Sequence, residues 1–180
     1  MTAPVLGTPL ARELLDARVI ANLASFRADG TIHLVAMWFT WDGTHVRFPT
    51  NSGSAKAKNL RSDPRATVMI DDSRGGFDVA GITITGRVEL VEGAEARDLN
   101  RVVHLRYITA EGLAFPEVGG LLENDDVTLR LVPEKASTWD MRPLPGAALL
   151  RRTSAFEPLA PTLTRERSDE CSQRLVEGSG

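Results

Sequence analysis

The segment Ile32 to Trp41, Ile-His-Leu-Val-Ala-Met-Trp-Phe-Thr-Trp, carries apolar side chains on both faces of an extended chain. Successive side chains of a strand point to opposite sides, which puts Ile32, Leu34, Ala36 and Trp38 on one face and Val35, Met37 and Phe39 on the other. A strand with no polar face is expected to be buried on both sides, as in a barrel wall that also meets a partner. Asp42-Gly43 follows at once, a strong hairpin signal, and returns the chain through His45 to Thr50. Val19 to Phe26, ended by the turn Ala28-Asp29-Gly30, reads as a preceding strand. Arg65 to Ile70, Phe77 to Val91 and Asp126 to Trp139 read as later ones. The turn Asp71 to Gly76 separates the first two of these, Gly81 and Gly86 mark bends or bulges, and Pro133 interrupts the last strand.

Helical patterns are fewer. They cover Pro9 to Ala17, Ser54 to Ser62 (stopped by Asp63-Pro64) and Glu95 to Tyr107, while Thr109 to Asn124 reads as an irregular loop. About six antiparallel strands with two or three short inserted helices predict a mainly β (α+β) fold, a closed or split barrel rather than alternating βαβ units.

A chain of 180 residues, 42% hydrophobic and 25% charged, suits one soluble domain. That domain is expected over 1–142, followed by a Pro-, Arg- and Ser-rich tail over 143–180. A net charge of −3 argues against nucleic-acid binding. No run of about 18 apolar residues is present, so no membrane span is expected, and Met1 to Ala11 does not read as a signal peptide. The cytoplasm is the expected compartment. The single cysteine, Cys171, excludes an intrachain disulfide and sits in a polar context that would leave it unreactive. His33, His45 and His104 lack metal-ligand spacing, so no metal site is expected, and each reads as a surface or satisfied residue. The pairs Asp71-Asp72 and Asp125-Asp126 read as turn formers.

One stretch breaks a local rule. After the strand ending at Thr50, the turn Asn51-Ser-Gly-Ser54 opens a helix with Lys56 and Lys58 in its first turns. The start of a helix carries partial positive charge and unsatisfied N–H groups, so lysines are disfavoured there unless an anion is supplied. Thr50, Ser52 and Ser54 add hydroxyl donors. The set suits a phosphomonoester or phosphodiester, while the two lysines taken alone suit a solvated helix face equally well. The strand Leu34 to Phe39, expected to run antiparallel to the strand entering this turn, would line a flat ring held above the phosphate. Trp38 and Trp41 read as core or partner contacts ahead of ring stackers.

With these parts in place, the chain resembles the pyridoxamine-phosphate-oxidase-like split β-barrel superfamily of flavin-binding proteins. The resemblance covers about Leu14 to Arg142. It is carried by Leu23-Ala-Ser-Phe-Arg-Ala-Asp-Gly30, Val35-Ala-Met-Trp-Phe39, Thr50-Asn-Ser-Gly-Ser-Ala-Lys56 and Lys58-Asn-Leu-Arg-Ser-Asp-Pro64. It implies a homodimeric six-stranded split barrel with cofactor at the interface between copies. It also implies that Thr50, Ser54 and Lys56 hold the cofactor phosphate and that Val35, Ala36, Met37 and Trp38 run along the ring, with Lys58 and Asn59 as secondary contacts.

The sequence departs from the pyridoxamine-phosphate oxidases at two points. Ala55 stands where those enzymes have Arg, and their C-terminal Arg- and His-containing motif is absent, the barrel ending at Ser137-Thr-Trp-Asp-Met-Arg142. Oxidation of pyridoxamine phosphate is therefore not implied. The wording from Ser54 to Pro64 resembles the flavin/deazaflavin oxidoreductases of the superfamily, many of which use the deazaflavin coenzyme F420. The expected function is hydride transfer between reduced F420 and a small conjugated organic substrate. The alternatives are an FMN-binding reductase or oxidase, and a non-catalytic flavin-type cofactor-binding protein. No nucleophile is required, since the cofactor carries the redox chemistry. Tyr107 and His104 are candidate proton donors, and Thr109 to Asn124 is expected to shape substrate choice.

Overall fold

The computed structural model describes residues 4–73, 78–113 and 115–143. All but the first residue of the segment 143–180, Cys171 included, lies outside the described residues. A 3-10 turn, Pro4–Gly7, leads into helix α1, Pro9–Asp16. Thr8 fixes its start: the Thr8 hydroxyl accepts the Ala11 N–H at 3.3 Å, and Pro9 brings helical φ to a position that needs no donor. Ala11, Leu14 and Leu15 form its buried stripe.

The chain then runs through β1 (Ala21–Phe26), β2 (Ile32–Met37), the two-residue β3 (Thr40–Trp41), β4 (Val46–Thr50), α2 (Ala55–Ser62), β5 (Arg65–Ser73) and β6 (Val79–Glu92). Helices α3 (Gly93–Tyr107), α4 (Ala110–Leu113) and α5 (Pro116–Asn124) precede the last strand, β7 (Val127–Asp140).

All seven strands belong to one antiparallel sheet in the order β2-β1-β5-β6-β7-β4-β3. Its two end strands are consecutive in the chain, separated only by Trp38 and Phe39. Three Cα steps reach no more than ~11 Å, so the two edges must lie side by side and the sheet curls into a split barrel. Period-two burial follows from this shape: Ala66, Val68 and Ile70 of β5 face in, while Thr67 and Met69 face out. Leu23, Phe39, Phe48, Ile82, Ile84, Leu129 and Leu131 fill the interior, with Leu14 and Leu15 of α1 packed in among them.

Pro133 does not end β7. Thr85 pairs with Lys135 and Gly86 with Pro133, so Glu134 is the extra residue of a bulge, and the proline's missing donor falls where the ladder is already interrupted. Gly86 is required there, because a Cβ would sit 2.0 Å from the Val132 carbonyl oxygen.

The structure corrects several expectations. Ile32 to Trp41 is not one strand but breaks at Trp38 and Phe39, where the barrel seam falls. β2 pairs only with β1, so it does not run alongside β4; the two approach across the seam without a shared ladder. The expected face of Ile32 and Leu34 is not buried in the single chain, where they are 62% and 64% exposed. The strand begun at Arg65 continues through Ser73, into what reads in the sequence as a turn. Thr109 to Asn124 is largely helical, with α4 and α5 inside it. The described residues thus hold seven strands and five α-helices, against the smaller number expected.

Candidate functional site

The strand–turn–helix from Thr50 to Ser62 is pinned from both sides. Ser52 donates its backbone N–H and its hydroxyl to Asp126, at 2.6 and 2.8 Å. Arg61 donates to the Ser52 carbonyl at 3.0 Å and pairs with Glu92 at 2.6 Å. These bonds lower the Asp126 carboxyl below the usual carboxylate range, the Ser52 hydroxyl acting most strongly. Both Ser52 donors are therefore engaged within the fold, and Ser52 shapes the turn.

Ser54 caps α2 by accepting the Ala57 N–H at 3.3 Å. Its hydroxyl also lies 3.0 Å from that of Thr50, which is 2% exposed. Two paired hydroxyls use one hydrogen between them, so the other can be offered to an outside acceptor. The Ala55 and Lys56 N–H groups, in the first turn, have no acceptor inside the helix. Lys56 is half-buried, and burial pushes its ammonium below the ordinary lysine range, with Asp125 pulling the other way.

Opposite this turn, Trp38 is held by α3. Its ring stacks on Tyr107 with centroids 5.3 Å apart and planes 4° from parallel, and meets His104 edge-on at 5.8 Å. Tyr107 is itself tied down by a 2.8 Å bond from its hydroxyl to the Val19 carbonyl, and it lies 3.3 Å from the Phe39 carbonyl. Burial raises its phenol above the ordinary range. A phenol bound to backbone carbonyls is committed to holding the seam, which sets it apart from a free proton donor.

His104 is 1% exposed with a partner at each ring nitrogen, so of the two readings, surface or satisfied, the second holds. One ring nitrogen, Nδ1, lies 3.0 Å from the Asn100 carbonyl, and Nε2 lies 3.0 Å from Asp125 Oδ2. Asn100, also 1% exposed, donates its amide to the Asp125 and Val127 carbonyls at 3.0 Å each, and accepts the Thr128 hydroxyl at 2.7 Å. The helix face that packs on β4 and β7 thus locks the start of β7 in place.

Between these parts lies a cleft of about 280 Å³ at the seam. Ala36, Met37, Trp38, Thr50 and Lys56, all expected from the sequence, line it, together with Ile20, Pro49, Asn51, His104 and Asp125. Ser54 stands behind Thr50. Val35 packs against the core on the other face of β2, Lys58 is exposed, and Asn59 is half-buried with its amide nitrogen unbonded; none of these three lines the cleft.

The sequence reading missed Asp125, Asp126 and Asn100. The signal for Asn100 was available: with Ala96, Val103 and His104 it falls on one stripe of α3, where polar residues need a buried partner. Among the described residues no cluster of side chains could hold a metal ion, and no helix is long and apolar enough to cross a membrane.

A seven-stranded split barrel with a polar strand–turn–helix at its seam defines the class. The chain belongs to the pyridoxamine 5'-phosphate oxidase family, whose sequence profile matches residues 8–140. The family includes oxidoreductases and binds flavin-type cofactors. Among solved structures, one similar chain is a conserved hypothetical protein of Mycobacterium tuberculosis, 30% identical, with a TM-score of 0.60 over 72% of this chain and 82% of that one. Another is described as an F420 reductase, 28% identical, with a TM-score of 0.53 over 70% of this chain and 94% of its own length. General stress protein 26 of Bacillus subtilis (strain 168) is 26% identical over 86 residues, a match spanning 48% of this chain and 61% of that relative.

Proposed function

We propose that this protein is an oxidoreductase that transfers a hydride between reduced coenzyme F420 and a small conjugated organic substrate. The observation that carries this reading is Lys56, a half-buried cation aimed into a cleft walled by Ala36, Met37 and Trp38. A half-buried ammonium favours an anionic partner, and an apolar wall favours a flat ring. The relative described as an F420 reductase adds support. Thr50, Ser54 and Lys56 would hold the phosphate, and the backbone from Ala36 to Trp38 would run along the ring. The bound cofactor supplies the hydride chemistry. The chain's own residues bind it, orient it against the Trp38 wall and exclude water.

At about 280 Å³ the cleft lies at the lower edge of small-molecule sites, ~300–1,000 Å³. Ala36 lines it and continues the exposed row of Ile32 and Leu34 on β2. A second copy of the chain covering that row would complete the site, and the active form is proposed to be a homodimer. Helices α4 and α5 connect α3, which bears His104, to Asp125 and are proposed to shape substrate choice.

Parallel titration with F420 and FMN tests the reading. F420 is expected to bind more tightly, and Lys56→Ala to weaken it by about 10- to 100-fold, the loss of one charge-assisted phosphate contact. Tighter binding of FMN would replace the deazaflavin reading with a flavin one. Absence of micromolar binding by either would remove the enzyme reading. Binding without turnover across a panel of enones and nitro compounds would favour a non-catalytic binding protein.

A further inference from the structure

Asp125 shares the cleft with Lys56, where an anion is proposed to sit, and a bare carboxylate there would repel it. The surroundings of Asp125 remove the conflict. His104 Nδ1 faces the Asn100 carbonyl oxygen at 3.0 Å, and a carbonyl oxygen only accepts, so Nδ1 carries the ring hydrogen. Nε2, 3.0 Å from Asp125 Oδ2, then either accepts a proton from the carboxyl group or carries a second proton beside a carboxylate. In both forms the two side chains hold one proton between them and their charges sum to zero. The remaining arrangement, with the hydrogen on Nε2 alone, would turn the Nδ1 lone pair onto a carbonyl inside a ring that is 1% exposed.

Burial acts the same way on both partners. It pushes the Asp125 carboxyl up, with Asp126 helping and Lys56 opposing, and it pushes the His104 imidazole down. Of the residues that line the cleft, only Lys56, His104 and Asp125 are ionisable, and Arg106, next to Tyr107 on α3, is turned onto the Leu15, Asp16 and Ala17 carbonyls. His33 on β2 is held toward its neutral form by burial and by the fields of Arg27 and Lys56. Asp126 is bound to Ser52, and Arg61 to Glu92 and Ser52. Lys58 is exposed and does not line the cleft, and Ala55, beside Lys56, carries nothing.

We infer that His104 and Asp125 form a neutral shared-proton pair that leaves Lys56 as the single charge of the cleft, so that the site selects a singly charged phosphodiester over a doubly charged phosphomonoester. This rests on the proposed reading that a phosphate-bearing cofactor binds here. A second charge on the anion would find no cation to meet it, and Asp125 would be its nearest ionisable neighbour. Once the pair loses its proton at high pH, even the first charge is opposed.

Two measurements on the full-length protein test the inference. Imidazole ¹⁵N NMR of the free protein reads the ring directly: a neutral ring protonated at Nδ1, or an imidazolium, supports the pair, and a neutral ring protonated at Nε2 overturns it. Titrations with F420 and FMN supply the second. At pH 7 Asp125→Asn is expected to leave both affinities within about threefold, because it replaces a neutral pair by a neutral pair. As pH rises, wild type is expected to lose affinity for both ligands before Asp125→Asn does. Ala55→Arg is expected to raise FMN affinity at least tenfold relative to F420. A tenfold or greater gain of FMN affinity in Asp125→Asn at pH 7 would overturn the neutral pair while leaving the cofactor reading intact. If wild type binds neither ligand, the cofactor reading fails and with it the selection, whereas the NMR result still decides the pair.

Discussion

Replacing Asn100 by alanine is expected to loosen the site and destabilise the fold together. Its amide donates to the Asp125 and Val127 carbonyls, and its oxygen accepts the Thr128 hydroxyl, all in a position 1% exposed. Three neutral hydrogen bonds at ~0.5–1.5 kcal/mol each give about 3 kcal/mol. Alanine also leaves two carbonyls without this donor in a site that water reaches poorly, which places the loss at or above that figure. For a domain of this size about 3 kcal/mol lowers Tm by roughly 6–12 °C.

Thr128→Val, which keeps the shape and removes the hydroxyl placed between Asn100 Oδ1 at 2.7 Å and the Ala96 carbonyl at 3.1 Å, should cost about 1–2 kcal/mol. Because the two side chains share the 2.7 Å bond, the double variant should be less destabilised than the sum of the singles, by about 0.5 kcal/mol or more. Urea unfolding of the four proteins measures this directly. A loss below about 1 kcal/mol for Asn100→Ala, or strict additivity with Thr128→Val, would refute the reasoning that this network fixes the start of β7.

Other expectations follow from single contacts. Gly86→Ala should destabilise more than Gly81→Ala in thermal melts, because the new Cβ meets the Val132 carbonyl at 2.0 Å in the first and a movable Trp139 ring at 2.1 Å in the second. Lys56 should hold its proton to higher pH when an anion binds. Burial depresses its pKa in the free protein, so the anion returns it toward the ordinary ~10.4 and anion affinity falls as pH rises through that window. A ¹³Cε titration midpoint that does not rise with ligand would refute this. Leu34→Glu should turn a dimer into a monomer of 19.6 kDa by sedimentation, since Leu34 is 64% exposed in the single chain; a wild-type protein already monomeric would refute the assembly.

The fold was legible where local chemistry decides it. Ser54 as helix cap, Asp63-Pro64 as stop, Asp42-Gly43 as hairpin and Gly86 as a bend or bulge all follow from residue type and spacing. The break in the strand at Trp38 and Phe39 was not, because it is imposed by closure of the sheet, a long-range event with no local mark. The helical content of Thr109 to Asn124 was obscured by Pro116, Gly119 and Gly120, which read as loop formers although a proline is tolerated at a helix start.

At the site, Lys56 announced itself as a charge in the wrong place, and Thr50 and Ser54 followed from it. Asp125 and Asp126 did not. Adjacent carboxylates at a turn look alike in sequence, and only the fold turns one onto Ser52 and the other onto His104. Asn100 and His104, one turn apart on a helix, reveal their partners only once β7 is laid against that helix.

The strand order also bears on how the molecule comes apart. The walls of the cleft belong to opposite ends of the sheet: Ala36 and Met37 sit on β2, and Thr50 on β4, next to the far edge at β3. A ligand gripping both is a clasp across the seam, and the barrel cannot peel open without first letting it go. Saturation at a hundred times Kd stabilises the folded state by about 2.7 kcal/mol. Here that gain should appear chiefly as a slower unfolding rate rather than as faster folding, because the clasp forms only after the seam has closed. The cofactor would then act as the fastener that sets the lifetime of the folded chain.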